Sequence, residues 1–137
     1  MDRSAETREL CSLVSELAHN IEEHVRHGVA DSDLTASQAI ALRELAEPLS
    51  MRELANRMHC ATSNVTFLID RLEKRGLVSR RPHPTDRRAK EIALTEEGEQ
   101  QREQIIERFS ADNPLSGLTA DQQKTLHQLL QRAVASR

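Results

Sequence analysis

Hydrophobic residues recur at helical spacing through most of the chain. From Leu10 to Val25 they fall at i, i+3, i+4, i+7, i+8, i+11 and i+15, which places them in one continuous stripe. This pattern predicts a helix over 3–27 that ends at Gly28. A stripe of this length needs a covering partner, which is either the rest of the domain or a second subunit.

Capping boxes mark the starts of three further helices. In this pattern a Ser or Thr precedes a Glu or Gln by three residues, and each side chain binds the other residue's backbone N–H group. The pairs are Thr35 with Gln38, Ser50 with Glu53 and Thr119 with Gln122, and the helices they open are predicted over 35–47, 50–58 and from 119 onward.

A fourth helix is predicted over 62–75. Thr62 and Ser63 are its candidate caps, and Gly76 follows where a left-handed residue ends many helices. Its apolar positions form one inward face, made by Val65, Leu68, Ile69 and Leu72. At the turn before this helix, Cys60 stands where an apolar residue usually packs between two helices, so we expect it in the core.

The period then changes to that of strands. Segments 77–81 and 89–94 are predicted strands, the second with Ile92 and Leu94 at alternate positions, and the two prolines between them exclude regular structure there. These segments predict a β-hairpin with a basic tip, and a helix follows over 95–111. The fold class expected is mainly α with a small two- or three-stranded β-wing.

Charge is unevenly distributed along the chain. The whole sequence carries 19 basic and 22 acidic residues, a net charge of −3. Residues 50–95, however, hold ten basic and five acidic residues, and the remainder holds nine and 17. A segment of +5 between ends that sum to −8 indicates a localised surface for a polyanion, although chance clustering on a solvated face would give the same count.

Two short helices joined by a tight turn and followed by a hairpin describe a winged helix-turn-helix. Such a domain locks the inner face of its second helix and leaves the outer face free for base edges and phosphates of double-stranded DNA. The hairpin tip can enter the adjacent minor groove. The candidate DNA-binding residues are Thr62, Ser63, Asn64, Thr66, Phe67, Arg71, Arg75, Arg80, Arg87, Arg88 and Lys90.

Several motifs resemble the MarR family of bacterial transcription regulators. They are Met51-Arg52-Glu53-Leu54-Ala55, Leu68 to Val78, Asp86-Arg87-Arg88-Ala89-Lys90 and Leu94-Thr95-Glu96-Glu97-Gly98. The resemblance spans nearly the whole chain. It implies one domain over 1–137, with a DNA-binding lobe at 34–95 and dimerisation helices at 3–28 and 96–137.

The resemblance also implies how such a protein works. A homodimer would bind a pseudo-palindromic operator as a repressor, with half-sites about one helical turn (roughly 10 bp) apart. A small, often phenolic or other aromatic, ligand would bind in a cleft between the dimerisation helices and the DNA-binding lobe and loosen DNA binding. Asp86 would hold the wing tip by bonding its own turn or Arg88, which makes it a positioning residue.

The two cysteines suggest a redox alternative. One branch of the family senses hydroperoxides through a cysteine near the position of Cys11, so a thiol-sensing regulator remains open. That branch activates its thiolate with tyrosines, and this chain has none. The simpler interpretation of Cys11 is a half-buried side chain in a helical seam. A Cys11–Cys60 disulfide is disfavoured in a reducing cytoplasm.

Other chemistry finds little support in the sequence. His24 and His27 have a spacing that can ligate a metal, but no matching pair follows, so we expect no metal site. His83 in the hairpin suits a phosphate better. No catalytic or phosphate-cradling motif occurs, which predicts a protein that is not an enzyme and needs no cofactor. No segment approaches a membrane span, and the chain is expected in the cytoplasm, without membrane contact.

A winged helix can also serve purely as a protein-interaction module. The hairpin distinguishes the two interpretations, because a module of that kind has no reason to keep five basic residues beside a polar helix start. Those residues are Arg80, Arg81, Arg87, Arg88 and Lys90. The pattern therefore favours DNA binding.

Overall fold

A computed structural model describes residues 2–111 and 113–136. The end residues 1 and 137 of the expected domain lie outside this range. Within it the chain forms six helices and a small sheet, as the sequence predicted. The elements are α1 (Arg3–Val29), α2 (Ala36–Glu44), β1 (Leu49–Ser50), α3 (Met51–Met58), α4 (Thr62–Lys74), β2 (Val78–Pro82), β3 (Lys90–Leu94), α5 (Glu96–Ser110) and α6 (Ala120–Ala135).

All three capping boxes form. The hydroxyl oxygens of Thr35, Ser50 and Thr119 each accept a hydrogen bond from the backbone N–H three residues on, at 3.1–3.2 Å. The Glu or Gln side chain at that position accepts the reciprocal bond from the cap's own N–H. Local cap chemistry therefore fixes where α2, α3 and α6 begin.

Helix ends follow tertiary contacts more closely than sequence signals. α1 does not end at Gly28 but continues to Val29. A Cβ atom on Gly28 would lie 2.2 Å from Cε1 of Phe109, so the glycine makes room for an aromatic ring instead of ending the helix. α2 ends at Glu44, three residues before the predicted end.

The cap predicted for α4 is also corrected. Its N-cap is Ala61, which has no side-chain acceptor, and Thr62 already has helical backbone. At the other end, Gly76 has the expected left-handed conformation, with φ of +75°. The start of α4 therefore has no side chain bonded to its first N–H groups, a difference that matters for the site.

The sheet has three antiparallel strands in the order β1-β3-β2. The predicted hairpin pairs β2 with β3, and Leu49 of the short β1 faces Ile92 on the other edge of β3. β1 runs directly into the capping box of α3, so the sheet and α3 share Ser50. The hairpin is thereby joined to the helix-turn-helix through its central strand.

The chain divides into two compact units. One spans Val25–Ser110 and contains the predicted lobe together with α5, which the sequence analysis had grouped with the dimerisation helices. Its largest fully buried side chains are Leu42, Leu54, Val65, Ile69, Leu72 and Ile92.

The other unit comprises the described residues up to His24 and from Ala111 onward. Its helices expose large apolar side chains. In α1, Leu10 is 62% exposed and Leu13 is 55% exposed, and Val14 and Ile21 belong to the same stripe. On α6 the exposed apolar residues are Leu129, Leu130 and Val134. The stripe predicted from the sequence is therefore left largely open by this single chain.

A tight junction joins the start of α5 to the turn between α4 and β2. The Thr95 hydroxyl donates to the Gly76 carbonyl at 2.6 Å and accepts from the Gly98 N–H at 3.1 Å. A Cβ atom on Gly98 would lie 1.9 Å from the Leu77 carbonyl oxygen. The Thr-x-x-Gly motif is thus a packing requirement: only glycine allows α5 to approach this closely.

Candidate nucleic-acid interface

The inner face of α4 is fixed in the core. Val65, Ile69 and Leu72 are buried, and Leu68 packs against them at the edge. Removing such side chains from water supplies most of the energy that holds a helix in place. α4 therefore presents a rigid outer face.

The outer face of α4 carries the predicted polar groups. Thr62, Ser63 and Asn64 are exposed at its first turn. Thr66 is half-buried, and its hydroxyl donates to the Thr62 carbonyl at 2.9 Å, so this hydroxyl is partly occupied. Phe67 is exposed on the same face.

The first turn of α4 also leaves backbone donors open. Because Ala61 is the N-cap, no side chain accepts from the first N–H groups. The Ala61 carbonyl accepts from the N–H groups of Asn64 and Val65, which are later in the turn. Free N–H groups at the positive end of a helix dipole suit a phosphate.

The turn before α4 differs from its prediction. His59 ends α3 in the left-handed conformation, with φ of 54°, where glycine is more usual. Cys60 is exposed rather than in the core, and its thiol donates to the Met58 carbonyl at 3.2 Å. The expectation of a buried Cys60 was wrong because Met58 supplies the apolar contact at this turn.

The wing tip is a compact hydrogen-bonded turn. Nδ1 of His83 accepts from the backbone N–H groups of Thr85 and Asp86, both at 3.2 Å. The Asp86 carboxylate accepts from the backbone N–H of Arg88 at 3.0 Å. The Asp86 carboxylate thus bonds within the wing turn, and the side chains of Arg87 and Arg88 are exposed on that turn.

Two predicted contact residues are instead tied to other parts of the chain. The Arg75 guanidinium donates to the Asp33 carbonyl at 2.8 Å and to Gln38 at 3.4 Å. Arg80 pairs with Asp70, and its Nε lies 3.9 Å from Glu73. Asp70 partly neutralises the charge of Arg80, and part of each guanidinium group is engaged within the chain, so both residues are weaker candidates than the sequence suggested.

One further ion pair escaped the sequence analysis. Arg81 and Glu91 face each other across β2 and β3, and Nε of the arginine lies 2.6 Å from the buried carboxylate. Opposite charges in register across a hairpin are a detectable signal. Arg81 is therefore paired within the strands of the wing, next to the Pro82–Lys90 pair, although about half of its side chain is exposed.

The cap of α3, formed by Ser50 and Glu53, lies beside the wing. The backbone N–H of Ser50 donates to Glu53 at 3.0 Å. This bond, the contact with the Ser50 side chain and the charge of Arg57 hold the pKa of Glu53 below its ordinary value of 4.5. The carboxylate is therefore ionised at neutral pH.

A cavity of about 380 Å³ opens beside the outer face of α4. Its volume lies in the range of small-molecule sites. Residues from α2, the α3–α4 turn and α4 line it, including Gln38, Cys60, Asn64, Leu68 and Arg71. A molecule bound there would touch side chains expected to contact DNA.

The described residues form neither a disulfide nor a metal-binding group from the candidates for redox and metal chemistry. Cys11 is exposed on α1 rather than half-buried, and neither cysteine is in a disulfide. Over residues 2–111 and 113–136 there is no group of three side chains that could hold a metal ion. The same part of the chain has no helix with the length and hydropathy of a membrane span.

Comparisons with known proteins agree with this architecture. The MarR family model matches residues 34–90. An uncharacterised helix-turn-helix transcriptional regulator of Bacillus subtilis, YkoM, is 28% identical over 117 residues, which cover 84% of this chain and 74% of that protein. The repressor MdtR of the same organism is 30% identical over 92 residues, 66% of this chain and 59% of its own length. These relatives are regulators and not enzymes.

Solved structures extend the likeness to the whole length. A MarR family protein from Bacillus stearothermophilus has a TM-score of 0.75 and 29% identity, covering 98% of this chain and 97% of its own. A mutant of MarR from E. coli, crystallised with operator DNA, has a TM-score of 0.73 and 27% identity, covering 97% and 99%. The matching family model identifies residues 34–90 as the DNA-binding winged helix of the MarR family of transcriptional regulators, and over nearly its whole length the chain is similar to regulators of that family.

Proposed function

We propose that this regulator is a repressor that binds a pseudo-palindromic operator as a homodimer in the cytoplasm. The observation that carries the proposal is the outer face of α4. The inner side of α4 is anchored in the core, and the N–H groups of its first turn have no side-chain cap. Asn64 and Arg71 are exposed on its outer side. Asn pairs with adenine and Arg with guanine in the major groove.

The wing supplies the second contact. Arg87, Arg88 and Lys90 are exposed at its tip and on β3, and the Asp86 turn fixes where they project. Cations of this kind neutralise phosphates or enter the minor groove, and they add affinity with little sequence preference. Arg75 and Arg80 support the scaffold instead, because their guanidinium groups bind carbonyl, amide and carboxylate oxygens of this chain.

Dimerisation is inferred from the exposed apolar side chains of α1 and α6. Leu10, Leu13 and Val14 expose half or more of their surface, and Leu129 and Val134 do the same. Contiguous exposed apolar surface is typical of a subunit interface. A two-fold dimer would present two copies of α4, which predicts half-sites about one DNA turn (roughly 10 bp) apart.

Release by a small ligand is the proposed mode of regulation. The cavity beside α4 supports it at a different place from the cleft that the resemblance implies, since its lining lies within the DNA-binding lobe. Asn64 and Arg71 belong both to that cavity and to the proposed DNA-contacting face. The redox alternative rests on Cys11, whose exposure on α1 leaves the thiol open to oxidants. Cys60 is also an exposed thiol and lines the cavity, so the two modes of regulation are distinguished in a Cys60→Ser variant, whose one remaining cysteine is Cys11. A ligand-controlled regulator of this kind would keep its operator affinity after treatment with a thiol-blocking reagent.

The decisive experiment selects genomic fragments with the purified protein at about 150 mM salt, where weak non-specific contacts are screened. We expect an enriched palindrome with half-sites one turn apart. A variant with both Arg87→Ala and Arg88→Ala serves as the matched comparison and should enrich the same palindrome more weakly. Binding without any enriched sequence would reject the proposal and favour a protein-interaction module.

A further inference from the structure

Phe67 has an unusual environment for one of the few aromatic residues in this chain. The sequence has two Phe and no Trp or Tyr. Phe109 packs against the core, whereas Phe67 is 60% exposed on the outer face of α4. A single exposed apolar side chain is common on protein surfaces and proves little by itself. Its neighbour one turn later supplies the second observation.

Arg71 stacks on Phe67. The guanidinium carbon lies 4.5 Å from the ring centroid, which is within the range of a cation–π contact. Neither Arg75 nor Arg80 is comparable, since both are bound to oxygens of this chain. Stacking uses the flat face of the guanidinium and leaves the N–H donors at its edge available for a planar partner.

Four side chains on the outside of α4 share one face. Ser63, Asn64, Phe67 and Arg71 lie at i−4, i−3, i and i+4, so the aromatic ring is at the centre of the surface proposed to enter the major groove. The ring centroid and the guanidinium carbon are 4.5 Å apart, which is between one and two base-pair steps of about 3.4 Å. The two groups are therefore near enough to each other to contact neighbouring base pairs.

We propose that Phe67 and Arg71 together read a thymine beside a guanine in each half-site. This inference rests on the proposed function and adds a base preference to it. The Phe67 ring would contact the C5-methyl group of the thymine, which is the apolar feature of the major groove. Arg71, held by the ring, would donate two hydrogen bonds to O6 and N7 of the guanine.

The test removes single thymine methyl groups from the DNA. Duplexes are first selected from a randomised pool with the full-length protein at about 150 mM salt. Each thymine of the selected duplex is then replaced by deoxyuridine, which removes only the C5-methyl. For the wild-type protein we expect one thymine per half-site, next to a guanine, at which the replacement raises Kd about fourfold.

Variants of the pair show whether Phe67 is responsible. Phe67→Ala should bind the thymine and deoxyuridine duplexes equally well. Phe67→Leu keeps an apolar side chain and should retain a preference for thymine. Arg71→Ala removes the donors and should lose about tenfold or more of the discrimination for guanine at the neighbouring position. Because Phe67 is exposed, all of these variants should fold, which circular dichroism and thermal melting check directly.

Each outcome decides a different point. If a sequence is enriched but no thymine methyl affects Kd, or if Phe67→Ala keeps the wild-type ratio, the thymine–guanine assignment is overturned while operator binding stands. If no sequence is enriched at all, the proposed function itself fails. An equal loss on every duplex for Phe67→Ala keeps the wild-type ratio and also overturns the assignment, since the ring would then support Arg71 without contacting a base of its own.

Discussion

The outer face of α4 and the wing tip both present candidate DNA contacts, but different forces hold them in place. α4 is anchored by buried apolar side chains, among them Val65 and Ile69. The wing tip consists of exposed residues and keeps its shape through hydrogen bonds to His83 and Asp86. Packing fixes a helix to within a fraction of an ångström, which base recognition needs. A hydrogen-bonded loop suffices to hold charges near phosphates.

The largest expected effect comes from loosening the anchor of α4. Ile69→Ala removes a side chain with no exposed surface and should lower the free energy of unfolding by about 2–5 kcal/mol. Urea unfolding at fixed protein concentration measures it. Leu68→Ala on the same helix is the control, and its loss should be smaller because Leu68 is only half-buried. Equal losses would mean that α4 is not held mainly by its inner face.

A specificity effect should follow from the outer face. Asn64→Ala should cost about 1–3 kcal/mol of operator binding and relax the preference at one base pair. Titration of the operator and of variants substituted at single positions measures both. The comparison with random DNA is essential, because an equal loss on specific and random duplexes would make Asn64 a phosphate contact.

Variants of the wing should lower affinity on all sequences, in contrast to the Asn64 variant, which should change sequence preference. Arg87→Ala and Arg88→Ala should each weaken binding on all sequences and lower the slope of log K against log salt by about one ion. Binding at several salt concentrations measures the slope. Arg132→Ala on α6 removes an exposed charge outside the compact unit that carries the wing, and serves as the control. Unchanged affinity in both wing variants would remove the wing from the mechanism.

The smallest effect concerns the cap beside the wing. Because the pKa of Glu53 is lowered in the folded protein, its ionised form contributes stability above about pH 4.5, and this contribution is lost as pH falls through the folded pKa. Glu53→Gln should therefore be less stable than the wild type at neutral pH, with the difference shrinking in acid. Thermal melting between pH 3 and 7 (roughly the range of carboxylate titration) tests this. A difference that is constant with pH would contradict it.

The starts of helices could be predicted from the sequence because capping is local. Thr35 and Ser50 find their partners three residues away, and both boxes form as expected. The prediction failed where a distant residue decides the outcome. α1 continues past Gly28 because Phe109, 81 positions later, packs against it. No local signal marks such a contact.

In the candidate site, too, features set by neighbouring residues could be predicted and features set by distant residues could not. The exposed polar start of α4 and the basic wing followed from periodicity and charge. The engagement of Arg75 did not, because its carbonyl partner on Asp33 lies 42 residues away. The stacking of Arg71 on Phe67 has the i, i+4 spacing of a helical pair, and a sequence signal for it existed. Roles in DNA contact remain predictions for all of these residues.

The junction of Thr95 and Gly98 has a mechanical consequence. The hydroxyl of Thr95 joins α5 to Gly76, and Gly98 brings the first turn of α5 against the Leu77 carbonyl, immediately before β2. The backbones of Gly98 and Leu77 are in direct contact. A shift of the first turn of α5 would therefore have to move the Leu77 carbonyl, and with it the start of β2, or break the contact at Gly98.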